Sequence, residues 1–362
     1  MSRVPLPKIP NRVPDPESER RLLEIRRQAE TRGIVAGKGI LPAGAPFPKA
    51  SPQTGYYGLP MLKEPQWTWE VPLYFFVGGA AGAASIIATV ARLSDAEPEL
   101  VRSARWVAAG GGAISSALLI SDLGRPERFL NMLRVFKLQS AMNVGAWTLA
   151  AFSSFAGAAA FANFVRDHFG DSLPVRLLED ASGVMASASG SVLSTYTGVL
   201  IGATAIPVWN ENVGMLPHHF AASGVNSALS LLELMGHENK ALNHLGIAAS
   251  AYEVYEGFAL ESRKTIANEP VHKGRSGAIV RAGGILSGPV PLALRLAYTL
   301  TGRTSFRRAA AWSSLAGSLL TRYGWIDAGH ASSKDHRIPL MLEESAPEIR
   351  KSSHQLVVEK AS

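Results

Sequence analysis

Four side chains in the first two hundred residues are placed where they could work together: Glu70, Asp122, Asn143 and Tyr196. Glu70 follows "WTW" at the head of one apolar run, and Asp122 closes a second in "LLISDLGRPERF" (118–129). Asn143 opens a third, just after Ser140, and Tyr196 stands inside a fourth. A carboxylate pair, an amide and a phenol suit the reduction of a quinone. That reaction needs two protons delivered, and it needs hydrogen-bond donors at the carbonyl oxygens as charge develops there. Tyr196 would donate to one carbonyl, and Asp122 or Glu70 would relay protons once burial raises its pKa. Each residue also has a plainer use. Asp122 could pair with Arg125 or Arg128 and stitch the turn, Glu70 could be an interfacial charge, and Tyr196 could be a packing hydrogen bond.

A second group lies in "NHLGIAASAYEVYEGFALE" (243–261). Glu253 and Glu256 are three apart and share a helix face. They read either as proton-path residues inside the membrane or as helix-end charges, because Glu261, Arg263 and Lys264 follow. Trp67 and Trp69 read as members of an interfacial aromatic belt.

The elements that position these residues are membrane helices. Nearly half of the 362 residues are apolar, and the charge gathers at the ends and in short clusters between long apolar stretches. Crossing a hydrocarbon core of about 30 Å takes roughly 20 apolar residues of helix. Eight segments qualify, at about 72–93, 102–121, 143–165, 184–208, 213–235, 241–260, 277–300 and 308–326. The expected fold is therefore all-α, a polytopic bundle of about eight transmembrane helices with a long extended N-terminal arm. The arm covers residues 1–66, the bundle 67–328 and an extramembrane tail 329–362. Even parity puts both tails on one side, and "MSRVPLPKIPNRVPDPESERR" has no apolar stretch of the signal-peptide kind behind its basic residues.

The arm is polar and rich in proline: 12 of the 22 prolines lie in the first 72 residues, too many for a packed domain. Residues 17–32 could form a short amphipathic helix, and the arm is expected to lie on a partner subunit or on lipid headgroups. Gly190, Ser194, Gly198 and Gly202 recur every four residues, a smooth ridge for close packing that leaves Tyr196 on the opposite helix face.

Composition excludes several classes. Without a cysteine the chain can supply no thiolate to an iron–sulfur cluster or to zinc, so any cluster belongs to a partner. The net charge of +7 is better spent on topology and membrane lipid than on nucleic acid, for which no motif is present. The nine histidines offer no facing pair of axial haem ligands within helices, and no metal site is expected.

In order and spacing, "YYGLP" (56–60), "WTWEVPLYFFVGGAAGA" (67–83), "SDLGRPERFLNML" (121–133), "SAMNVGAW" (140–147), "TYTGVLIGATAIPVW" (195–209) and "DAGHASSKD" (327–335) resemble the NrfD/PsrC family. These are the haem-free, quinone-binding integral membrane subunits of molybdoenzyme-type oxidoreductases. The resemblance runs from about residue 56 to 337. It implies a multi-pass protein of the bacterial cytoplasmic membrane that exchanges electrons between the quinone pool and a ferredoxin-like iron–sulfur subunit. That partner would wire to a molybdenum or tungsten bis-pterin subunit, where the terminal substrate reacts. The exchangeable cofactor would be menaquinone or ubiquinone. By position the family's quinone-pocket residues fall near Glu70, on Asp122 and on Tyr196, with "TYTG" keeping the tyrosine's surroundings. Arg125 and Arg128 would hold the intervening loop against the cluster-bearing partner. The competing class is a secondary transporter or proton-translocating protein without a redox role, which predicts internal repeats with broken helices.

Overall fold

The computed structural model describes residues 62–335, apart from 124–126, 128, together with Arg20, Leu23, Glu24, Arg27 and Arg337. Every regular element among the described residues is helical. The chain divides into two units, Pro65–Ser332 and the two chain ends. In the stretch 17–32 the four described residues are helical. The rest of the expected arm and tail, and the residues Arg125 and Arg128, lie outside the described residues.

The first unit opens with α1 (Glu70–Leu93) and α2 (Pro98–Asp122), a single turn α3 (Phe129–Met132), then α4 (Ala141–Phe169) and α5 (Leu173–Gly202). A second turn α6 (Pro207–Glu211) leads to α7 (Leu216–Leu234) and α8 (Lys240–Ser262). After the turn α9 (Glu269–His272), α10 (Gly274–Ser287) and α11 (Pro289–Thr301) run on either side of a break at Gly288, and α12 (Thr304–Lys334) closes the unit. Proline sets several starts, as at the first turns of α2, α5 and α11, where its missing N–H costs nothing. Ser140 and Asn239 cap α4 and α8 by accepting from backbone N–H groups two or three residues on.

Among the described residues four segments are long and apolar enough to cross a membrane: α1, α4, α5 and the pair α10–α11. The remaining long helices carry more polar residues, and those residues point inward. Arg105, Asn226, Glu233, Glu253, Glu256 and Arg322 are all buried. Large apolar side chains point out, among them Trp106, Phe258, Leu300 and Trp312. An exterior of this kind suits lipid rather than water.

The fifth helix begins at Leu173, earlier than the expected 184, and ends at Gly202. The added N-terminal turns carry Glu179 and Asp180, which a hydropathy reading assigns to a loop. Arg105, Arg166 and Asn163 surround the Glu179 carboxylate, with Arg166 at 2.7 Å, and Arg92 holds Asp180 at 3.1 Å. Paired in this way, the acids are tolerated inside a helix. At 29 and 30 residues α4 and α5 are about 44 Å long, so their charged ends can stand outside the hydrocarbon.

Close packing follows the small residues. A Cβ on Gly190 would lie 2.4 Å from Ser85 Oγ, and one on Gly82 would lie 2.4 Å from the Gly190 carbonyl oxygen, so only glycine lets α1 and α5 meet here. Ser85, Thr89 and Ser187 hydroxyls then bond across the same seam. Farther along the ridge, Gly198 and Gly202 abut Leu216 and Val213. These contacts bring the start of α1, the end of α2, the start of α4 and the end of α5 to one end of the bundle.

Candidate functional site

At that end Glu70 is the first residue of α1 and Asp122 the last of α2. A carboxylate at a helix N-terminus is favoured by the dipole, while one at a C-terminus is not, so Asp122 needs another partner. Thr68 supplies it. Its hydroxyl donates to Glu70 and faces the Asp122 carboxylate as well. The Asp122 carboxyl is half-buried and lies beside the Glu70 charge as well as the Thr68 hydroxyl. Two carboxylates thus share one hydroxyl proton.

One turn into α1, on the same face as Glu70, Tyr74 is buried and lies beside Tyr196. Tyr196, only 6% exposed, donates its phenolic hydrogen to the carbonyl of Ala141 in the first turn of α4. Its ring occupies the space a side chain would take at Gly145, where a Cβ would fall 2.2 Å from the ring. Tyr74 and Tyr196 are thus neighbours inside the bundle, about one helical turn from Glu70 along α1. Tyr74 was legible as the residue four after Glu70. Thr68, two before it, carried no such signal.

Asn143 serves the architecture. Its Oδ1 accepts from the Lys137 backbone N–H at 2.7 Å and its Nδ2 donates to the Met132 carbonyl at 2.8 Å, closing the loop ahead of α4. Trp69 is largely exposed, as a belt residue should be, and its carbonyl accepts from Tyr323 at 3.0 Å. Trp67 does more than line an interface. It stacks on the fully buried Trp209 with centroids 5.3 Å apart, and Trp209 in turn donates to the Trp325 carbonyl at 2.7 Å.

Residues 61–237 match the family described as polysulphide reductase, NrfD. Over this stretch, just under half of the chain, it is similar to the NrfD family. A comparison with curated proteins finds no match. With its candidate spans, the chain is a multi-pass membrane protein. The NrfD stretch contains Glu70, Thr68, Asp122, Asn143 and Tyr196, and it ends before Glu253 and Glu256.

Glu253 and Glu256 are not exposed helix-end charges. Both are buried on the face of α8 that meets α7, where Asn226 donates to Glu253 at 2.8 Å and His219 Nδ1 lies 3.1 Å from Glu256. Among the described residues no cluster of histidine and acid side chains is arranged to hold a metal.

Proposed function

We propose that the chain is the quinone-reactive membrane subunit of a multisubunit oxidoreductase in a bacterial cytoplasmic membrane. In this reading all eight long helical segments cross the bilayer, counting α10–α11 as one, and the ends 1–66 and 329–362 stay outside it. The observation that carries the reading is the carboxylate pair Glu70 and Asp122 around the Thr68 hydroxyl, at the same bundle end as Tyr74 and Tyr196. The match to the NrfD family supports the redox setting.

The residues present fit a quinone headgroup: phenols can donate, and a half-buried carboxyl at the mouth can carry a proton. Menaquinone or ubiquinone would supply the two-electron chemistry when bound. Thr68 has one proton to give, so whichever carboxylate lacks it is the one that gains most from taking a proton itself. Tyr196 can turn its hydroxyl from the Ala141 carbonyl towards a ligand oxygen without moving its ring. Asn143 keeps the loop between α3 and α4 in place. Electrons would pass to or from a ferredoxin-like iron–sulfur partner, itself wired to a molybdenum or tungsten bis-pterin subunit, with Arg125 and Arg128 in the docking loop.

The test is turnover of the intact complex with Asp122→Asn and Tyr196→Phe. Quinone-linked activity should fall by about a hundredfold, the scale of a lost proton-transfer group, while activity of the partner with an artificial electron dye stays unchanged. Full quinone-linked turnover in Asp122→Asn would sink the assignment. Ion-coupled uptake by the chain alone would favour the transporter class instead.

A further inference from the structure

Thr68 carries the one hydroxyl between Glu70 and Asp122, yet no regular element fixes it. It is exposed and precedes α1, and its carbonyl accepts from the Val71 N–H only at the long distance of 3.4 Å. Trp69, at the N-cap, gives the helix no side-chain bond. A β-branched side chain has few χ1 choices, so whatever holds the backbone at Thr68 also aims its hydroxyl. That task falls to the two tryptophans on either side.

Both are anchored by α12. The Tyr323 hydroxyl donates to the Trp69 carbonyl at 3.0 Å, across 254 positions of sequence. Tyr323 is half-buried and also faces the Glu70 charge. On the other side of Thr68, Trp67 stacks on Trp209 with the ring planes 20° apart, and it meets the buried Phe75 edge-on at 6.2 Å. Trp209 is not free to slide. Its indole donates to the Trp325 carbonyl, and its ring fills the space of a side chain at Gly329, where a Cβ would run into it. Trp325 and Gly329 are four apart and share one face of α12. Thr68, Glu70 and Asp122 lie inside the NrfD stretch, whereas Tyr323, Trp325 and Gly329 lie outside it.

We propose that α12 positions the Thr68 hydroxyl between Glu70 and Asp122. Tyr323 is a positioning residue that acts through Trp69, and Gly329 is one that acts through Trp209 and Trp67. The role rests on the reading of Thr68, Glu70 and Asp122 as the proton-handling end of a quinone site. With either anchor released, the hydroxyl spends part of its time away from the carboxylates, which slows turnover without weakening binding.

The experiment is a double-mutant cycle on the intact membrane complex, with Tyr323→Phe, Thr68→Val and the two combined. Quinone-linked turnover with decylubiquinone is measured beside hydrogen exchange of residues 66–72. Tyr323→Phe should lower kcat about fivefold at unchanged KM, the scale of one hydrogen bond. It should also speed exchange at 66–72 about threefold. In the Thr68→Val background its further effect on turnover should be under about twofold, because both changes act through one hydroxyl. Trp67→Leu, at the other anchor, should show the same pattern. Losses that multiply in the double variant would overturn the proposal, and so would exchange at 66–72 that neither Tyr323→Phe nor Trp67→Leu alters. Faster exchange there, with turnover untouched by Thr68→Val, would instead remove Thr68 from the quinone site and leave its positioning by α12 in place.

Discussion

One hydroxyl proton at Thr68 lies between two carboxylates, and it donates to Glu70. Thr68→Val leaves the pair without that donor, so quinone-linked turnover of the intact complex should fall while activity of the partner with an artificial dye stays unchanged; unaltered quinone-linked turnover would show the hydroxyl to be dispensable. At Gly145 the missing side chain is what seats Tyr196, so Gly145→Ala should cost about 1–3 kcal/mol by overpacking and displace the phenol. A melting temperature and quinone-linked activity that both match the wild type would rule that out.

Between helices, the bundle is joined by small residues and by buried charge rather than by apolar area, since apolar contact in a membrane gains little over contact with lipid. Glu179 is the hub of one such joint, linking α2, α4 and α5 through Arg105, Arg166 and Asn163. Glu179→Gln leaves guanidinium groups short of a buried counter-charge and should destabilise by about 3–5 kcal/mol, read as a large fall in melting temperature; a shift of a degree or less would show the joint to be dispensable. This joint explains why α5 begins earlier than hydropathy places it. Helix interiors were legible because apolarity is a local property of sequence. The extension was not, because Glu179 and Asp180 are made tolerable by Arg105, Arg166 and Arg92, residues 13 or more positions away. Arg105 and Arg166 also resemble free loop charges in sequence, whereas in the fold they are tied in ion pairs and say less about which side of the membrane they face.

The whole molecule places charge inside and large apolar side chains outside, and the sequence made that class plain through its long apolar runs and lack of cysteine. The order of the motifs likewise pointed to NrfD and to Glu70, Asp122 and Tyr196. What the motifs left hidden were partners brought in by packing: Tyr196 beside Tyr74 and Trp209 under Trp67, contacts between elements far apart in the chain that leave no local pattern. The claim that joins all scales is that this chain passes electrons between quinone and an iron–sulfur partner. The most direct measurement is gentle purification of the tagged chain from its own membranes, with mass spectrometry of the co-purifying proteins and assay of metals and extracted quinone on the same sample. The account predicts an iron–sulfur subunit and a molybdenum or tungsten subunit with at least one quinone per complex. A chain that purifies alone from mild detergent, with no redox partner and no quinone, would contradict it.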